Sequence, residues 1–557
     1  MIRRTAGLLP IVGATLVVFF LSAGFTRSTN VQRLSIPTQT RASGNLKISS
    51  AIHRLIAQGL ARADFRQGQV DIQQGELRVF VEAASHTTAL VNELRQAGAT
   101  IELANEELGI VQARVPVSSL GEVAALEATR FIRLPDIGVL NAGSVTSQGD
   151  AVLRADDLRA EGFNGSGIKI GVISDGVFGL ATSQASSDLP SVVTTRSFRA
   201  DGDITAGLDP GSKGSEGTAM LEIIHDLAPG AQLFFANFLT SLEFIAAQDW
   251  LANDAGGNGV DIIVDDIAFF NVGAYDGSSA VSLNATDTLS AGVKAYVTSA
   301  GNQALRHYEA DFVDSHPAIE GGFHDFAGFG ASADEVLDLG ILPNGQGISA
   351  FLQWSDLFGG SGNNYDLWLV QLDPNTGQFV GFLPAIGGQD VQDGNDNPTE
   401  NLSYTNNTGG SLHIGLGIRK PNSAHANRHL DLFVFTPQPG NCTSALQYNT
   451  LESSVPNVAD ASNIMSVGAV YYSASPSMFS GTLTSTECFS SRGPTNDSRL
   501  KPEVVATDGV STSVNNAGGD FTTFFGTSAA APHVAAIATL LLDIKPSLSA
   551  SQLRATV

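Results

Sequence analysis

Ser528, Glu216, Asp175 and Asn302 stand where acyl-transfer chemistry would place them. In GSEGTAMLEIIHDLAPGA, Gly214 to Ala231, the residues Glu216, Met220, Ile223, Ile224 and Leu227 fall at i, i+4, i+7, i+8 and i+11. A carboxylate therefore heads the apolar stripe of a helix. In FFGTSAAAPHVAAIATLLL, Phe524 to Leu542, Ser528 sits where a helix begins, among small residues, with Pro532 early enough to be tolerated. Amide N–H groups at a helix start point outward and the dipole favours negative charge there. The Ser528 hydroxyl can thus attack a carbonyl whose oxyanion its own N–H helps to hold. Asp175 ends the strand pattern of GSGIKIGVISDG and Asn302 ends that of SAGVKAYVTSAGN, so both face one crevice if the strands are parallel. Each residue also has a plainer reading: Glu216 as a solvated first-turn glutamate, GTS as an ordinary cap before an Ala-rich core helix.

The elements that must position these groups alternate short apolar strands (AQLFFANF, VDIIVDDIAFF) with helices (SLEFIAAQDWLAND). That order predicts an α/β fold, a doubly wound parallel sheet with helices on both faces, over residues 150–310 and again over 441–557. Between 311 and 440 the helical pattern gives way to alternating segments, ISAFLQWSD, NYDLWLVQLD, SLHIGLGIR and LDLFVF, which predict an inserted antiparallel β-sandwich. Ahead of the sheet, 73–136 reads as strand, helix, two strands, helix and strand, a ferredoxin-like α+β module. Its position suggests a pro-segment; an independent binding domain is the other reading. Residues 29–72 read as a polar linker. MIRRTAGLLPIVGATLVVFFLSAGFTRS, residues 1–28, has the layout of a secretory signal, with an uncleaved membrane anchor as the alternative. The last pattern, SLSASQLRATV, reads as an unfinished helix, which leaves room for a further segment beyond Val557.

Taken with FSSRGP and KPEVVATDG, the motif GTSAAAPHVA resembles the nucleophile segment of subtilisin-like serine proteases. SAGN, Ser299 to Asn302, resembles that family's oxyanion asparagine, and IKIGVISDG the strand ending in its catalytic aspartate. The resemblance implies a subtilisin-like fold, Ser528 as nucleophile, Asn302 as oxyanion donor and Asp175 as the acidic member. The order acid, base, serine is also that of subtilisin. It departs at the base: where subtilisins carry His-Gly-Thr, this chain has Glu216, Gly217 and Thr218. A glutamate base resembles the sedolisins, which share the fold and whose motif is a Glu, an Asp four residues on, and a segment ending in LAPGA or similar. Glu216 matches that glutamate, but Met220 occupies the aspartate position. Glu222 and Asp226 have the same spacing and read as a solvated acidic face.

A glutamate base titrates about two units below histidine, and a second carboxylate, Asp175, would let the pair share a proton. The resulting expectation is a secreted serine endopeptidase that favours mildly acid pH and acts on protein and peptide substrates, with its own pro-segment as a partner that folds with it and covers the catalytic cleft. A neutral-pH subtilisin-like enzyme is one alternative. A catalytically inactive subtilisin-like domain serving as an extracellular binding or adhesion module is another. The net charge of -25, from 30 Lys plus Arg against 55 Asp plus Glu, opposes partnership with nucleic acid or anionic lipid. No membrane contact is expected once the signal is removed, and a cell-surface location if it is retained. Cys442 and Cys488 allow one disulfide or two free thiols. No cofactor is expected for the chemistry. The turns LFGGSGNNYDLWL and QDVQDGNDNPTE offer oxygen ligands for a structural calcium but lack EF-hand spacing, so plain polar turns are preferred.

Overall fold

The structure, a computed structural model, describes residues 45, 47–57, 65–67, 69–136, 147–209, 211–315, 321–328, 333–437, 445–514 and 523–557. The expected signal at 1–28 and Cys442 lie outside the described residues. Cys488 is disulfide-bonded, and Cys442 is the chain's other cysteine.

Apolar runs rich in valine and isoleucine build a parallel sheet. Its order is Val504–Asp508, Met465–Tyr471, Ala295–Ser299, Ile262–Asp265, Lys169–Ser174, Gln232–Asn237 and Thr194–Ser197. Successive side chains of a strand point to opposite faces, so each strand feeds two cores. Ile170, Val172, Ile262 and Val264 pack with Met220, Ile223 and Leu227 of helix Glu216–Leu227 and with the alanine-rich face of helix Thr527–Ile544. Ile173, Ile263 and Tyr296 pack on the other side against Phe244 and Leu251 of helix Ser241–Asn253 and Ala285 of helix Ala280–Ala291. Parallel strands with helices on both faces place all the strand carboxyl ends along one edge.

Two antiparallel sheets lie between these halves. His307–Asp311, His429–Phe435, Gly347–Trp354, Thr399–Thr405 and Ile386–Gly387 form one; Leu337–Leu342, Leu412–Arg419, Asp366–Leu372 and Phe379–Phe382 form the other. They bury a common core that includes Trp354, Tyr365, Leu367, Leu416 and Leu432. The first of these strands starts at His307, before the expected boundary at 311.

The N-terminal unit orders its strands Thr100–Asn105, Ile110–Pro116, Glu76–Ala83, Thr129–Arg133, all antiparallel neighbours, with helix Thr87–Gln96 and the short helix Leu120–Ala125. Part of the segment 29–72, read as linker, is structured: it carries helix Ser50–Ala57 and strands Phe65–Gln67 and Val70–Gln73. Ile48, Ile52, Leu55, Val70 and Ile72 are buried in the same core as Val79 and Leu90. The polar composition around them hid these few apolar anchors. The unit docks on the start of helix Ser241–Asn253: Gln112 Nε2 donates to Glu243 Oε1 (3.0 Å), Thr240 Oγ1 donates to Gln112 Oε1 (2.7 Å), and Ser241 N donates to Asp136 O (3.1 Å).

Candidate active site

Asp175 follows strand Lys169–Ser174 and is 3% exposed. Its Oδ1 accepts the N–H of Gly176 (2.6 Å) and of Glu216 (3.1 Å). Glu216 is the first residue of its helix, and Ser215 before it makes no side-chain cap, so Asp175 takes over one of the orphan donors. The approach is close enough to need glycine: a Cβ on Gly214 would lie 2.5 Å from the Asp175 carboxyl carbon.

Glu216 is buried, which removes the solvated first-turn reading. Its carboxyl meets that of Asp266, a residue the sequence did not single out, which follows strand Ile262–Asp265 and is wholly buried. Buried carboxyls this close together disfavour a further charge on one another. Burial pushes Asp266 up to about 6, against the hydrogen bonds that favour its anion. Burial first, and then the Asp266 charge, pushes Asp175 up to about 8, against the N–H groups of Gly176, Gly217 and Glu216. Asp265, whose Oδ1 accepts from Thr298 Oγ1 (2.7 Å), is pushed up by burial to about 7.

These acids keep protons in the fold at a pH where the unfolded chain has lost them. Their stabilising contribution is therefore full below about pH 4 and is lost as pH rises through about 6 to 8. The melting temperature should fall from pH 5 to pH 8.5 in calorimetry. Asp266→Asn, neutral throughout, should flatten the fall. A melting temperature that rises across that interval contradicts the upward shift of these buried acids.

At the start of helix Thr527–Ile544, Thr527 N and Thr527 Oγ1 both donate to Asn302 Oδ1 (3.0 and 2.9 Å), and Gly301 N donates to Thr527 Oγ1 (3.1 Å). With its amide oxygen held this way, Asn302 keeps Nδ2 as the open donor. The FSSRGP segment braces the same loop: Ser491 N donates to Gly301 O (2.8 Å) and Gln303 N to Ser491 Oγ (3.0 Å). Gly526, at φ 108°, turns the chain into helix Thr527–Ile544, and its N–H is held by Asp508 Oδ2 (3.0 Å). Ser528 is fully buried, and its Oγ has no hydrogen-bond partner among the described residues. Its N–H, in the first turn, has no intrahelical acceptor.

Asp175, Asp266 and Asn302 thus come from the ends of three adjacent strands, and Glu216 and Ser528 from the starts of two helices packed on one another. The histidines stand apart from this arrangement. His533 is fully buried, with Nδ1 on Ala529 O (2.7 Å) and Nε2 on Ser147 Oγ, and burial lowers it to about 4. His225 is half-buried and lowered by the same cause. The expected solvated face of Glu222 and Asp226 is corrected: Glu222 is 1% exposed and accepts from Ser513 N and Oγ (2.6 and 2.8 Å), while Asp226 accepts from Ser147 N (3.2 Å). Two loops remote in sequence cover that side of the helix.

In the two suggested calcium turns, Asp366 lies 3.8 Å from Arg419 and Asp390 pairs with Arg54, while Glu400 Oε1 is buried with no hydrogen-bond partner among the described residues. A cavity of about 460 Å³ lies where the three units meet, lined by Arg54, Phe131, Asp209, Phe270, Asp390 and Asn397 among others. None of Asp175, Glu216, Asn302 or Ser528 lines it.

Residues 400–557 match the model of the subtilase family (Peptidase_S8). Among solved structures, the CspB protease of Clostridium perfringens is 15% identical over 71% of this chain and 88% of that chain, with a TM-score of 0.42. Fervidolysin from Fervidobacterium pennivorans, a keratinolytic enzyme related to subtilisin, is 14% identical over 89% of this chain and 60% of that chain, with a TM-score of 0.41. The stretch 400–557, which carries FSSRGP, KPEVVATDG and Ser528, is the part of the chain that is similar to this family of serine-type peptidases.

Proposed function

We propose that the chain is a secreted serine endopeptidase, made as a precursor, in which Ser528 is the nucleophile and Glu216 the base. The observation that supports it is a buried serine hydroxyl with no hydrogen-bond partner among the described residues, at the start of a helix packed on the helix that Glu216 begins, with Asn302 held beside it through Thr527. Glu216 removes the Ser528 proton as Oγ attacks the scissile carbonyl, and the Ser528 N–H and Asn302 Nδ2 take the oxyanion. Glu216 then gives its proton to the leaving amine. Water, deprotonated in turn by Glu216, hydrolyses the acyl-enzyme.

Asp266 orients the base through the carboxyl–carboxyl bond, and Asp175 fixes the first turn that carries it. The acid that a sedolisin-like motif would place at 220 is replaced by Met220, buried in the core; Asp266 offers a carboxyl from the neighbouring strand end instead. Turnover is expected to peak at mildly acid pH. Below the optimum the base is protonated. Above it Asp175 ionises near pH 8 and crowds further negative charge beside a developing oxyanion. The N-terminal unit, docked through Gln112 and Asp136, suits a pro-segment that folds with the enzyme.

Labelling of the purified protein with a fluorophosphonate across pH 3 to 9 tests this reading. Labelling at Ser528 that peaks below neutrality supports it; failure to label at any pH favours the inactive binding module. Asn302→Ala should lower kcat about 10²- to 10³-fold with KM little changed, the loss found when the equivalent donor is removed from subtilisin. An unchanged kcat would take Asn302 out of the oxyanion site.

A further inference from the structure

We propose that His307, Glu309 and Asp431 form a binding site for one divalent transition-metal ion of the zinc class, outside the catalytic crevice. The strands His307–Asp311 and His429–Phe435 pair antiparallel with Glu309 opposite Asp431 and His307 opposite Phe433. Alternation brings His307 and Glu309 to the same face, with Asp431 beside them across the ribbon. One donor atom from each of the three lies within 4.8 Å of the others.

The hydrogen bonding fixes which atoms face inward. His307 Nδ1 lies 3.0 Å from Thr450 O, and a carbonyl only accepts, so Nδ1 carries the hydrogen and Nε2 the lone pair. That Nε2 sits 3.7 Å from Asp431 Oδ1. His307 Nε2, Asp431 Oδ1 and Glu309 Oε2 are all buried with no hydrogen-bond partner among the described residues, His307 being 0% and Asp431 3% exposed. Acceptors converging without a donor need a cation. A proton on Nε2 would not bridge 3.7 Å, which is beyond hydrogen-bond reach. Two ligands on a tetrahedral ion with bonds of about 2.1 Å stand about 3.4 Å apart, close to the separation observed.

Each ligand also has an outer partner of the kind that orients metal-binding side chains. Thr450 O holds His307, Asn496 Nδ2 donates to Asp431 Oδ2 (3.2 Å), and His429 Nε2 lies 3.5 Å from Glu309 Oε1. One imidazole with two carboxylates suits zinc, cobalt or nickel rather than calcium, which takes six to eight oxygens. The ion would tie the first and last inserted strands to each other, at the edge that Thr450 and Asn496 hold against the peptidase body. Thr450 N and Asn449 Nδ2 both donate to His307 O, Asn496 Nδ2 also donates to Ala274 O, and the His307 strand leaves the SAGN loop five residues after Asn302. The inference does not rest on the hydrolase reading.

The test uses the untagged full chain, stripped with chelator, and Co²⁺ and Zn²⁺ as probes. One equivalent should bind saturably in calorimetry, Co²⁺ should give the intense visible bands of a four-coordinate site, and Zn²⁺ should raise the melting temperature. Glu309→Gln, at a half-exposed position, and His307→Gln should each weaken binding more than about 100-fold, and Asn496→Ala about 10- to 100-fold. Absence of saturable binding to the wild-type chain overturns the proposal. So does binding that survives both Glu309→Gln and His307→Gln.

Discussion

Ser528→Ala is expected to lower kcat about 10⁶-fold while leaving the melting temperature unchanged or slightly higher. The size follows from losing a nucleophile that acts as a unit with its base, as in subtilisin, where what remains comes from the oxyanion donors and binding. The stability sign comes from this structure. Ser528 Oγ is a buried hydroxyl without a hydrogen-bond partner, so its removal strands no other group and relieves a desolvated one. The bonds that build the loop, from Thr527 N and Oγ1 to Asn302 Oδ1, belong to the preceding residue and survive. Activity assays beside calorimetry check both parts. A variant that lost activity together with several degrees of stability would show that the hydroxyl holds the fold rather than the chemistry.

Glu216→Gln should cost about 10⁴- to 10⁶-fold in kcat, because the amide keeps the shape of the side chain and loses the proton acceptor. The substitution leaves beside Asp266 an amide N–H that can donate to its anion at every pH, where the glutamate can donate only when protonated. Its titration should move toward the ordinary carboxylate range, and the pH dependence of the melting temperature between pH 5 and 8.5 should weaken as it does in Asp266→Asn. Turnover and fluorophosphonate labelling that persist in Glu216→Gln would remove the glutamate from the mechanism.

The apolar runs and their alternation with helical patterns sufficed to place Asp175 and Asn302 at strand ends, because a parallel sheet leaves little choice of edge. That Ser528 stands in the first turn of a helix was legible from the small residues around it. Asp266 was missed although a signal existed: VDDIAFF sets two adjacent acids at the end of an apolar strand, and in a sheet covered on both faces neither can reach water easily. Glu222 and Asp226 were misread because the loops that cover them, at Ser513 and Ser147, lie 291 and 79 residues away, and no local pattern reports such contacts. The same holds for His307 and Asp431. Each falls in an unremarkable alternating strand, and only the register of two distant strands makes them neighbours.

The most direct measurement of the central claim is the single-turnover rate of acylation of Ser528 as a function of pH, in wild type and Glu216→Gln. The account predicts a wild-type rate that is greatest at mildly acid pH and declines toward pH 8 as Asp175 ionises, with acylation in Glu216→Gln lowered by at least about 10⁴-fold at every pH. A wild-type rate still rising at pH 8 or above, or a variant that acylates at the wild-type rate, would contradict it.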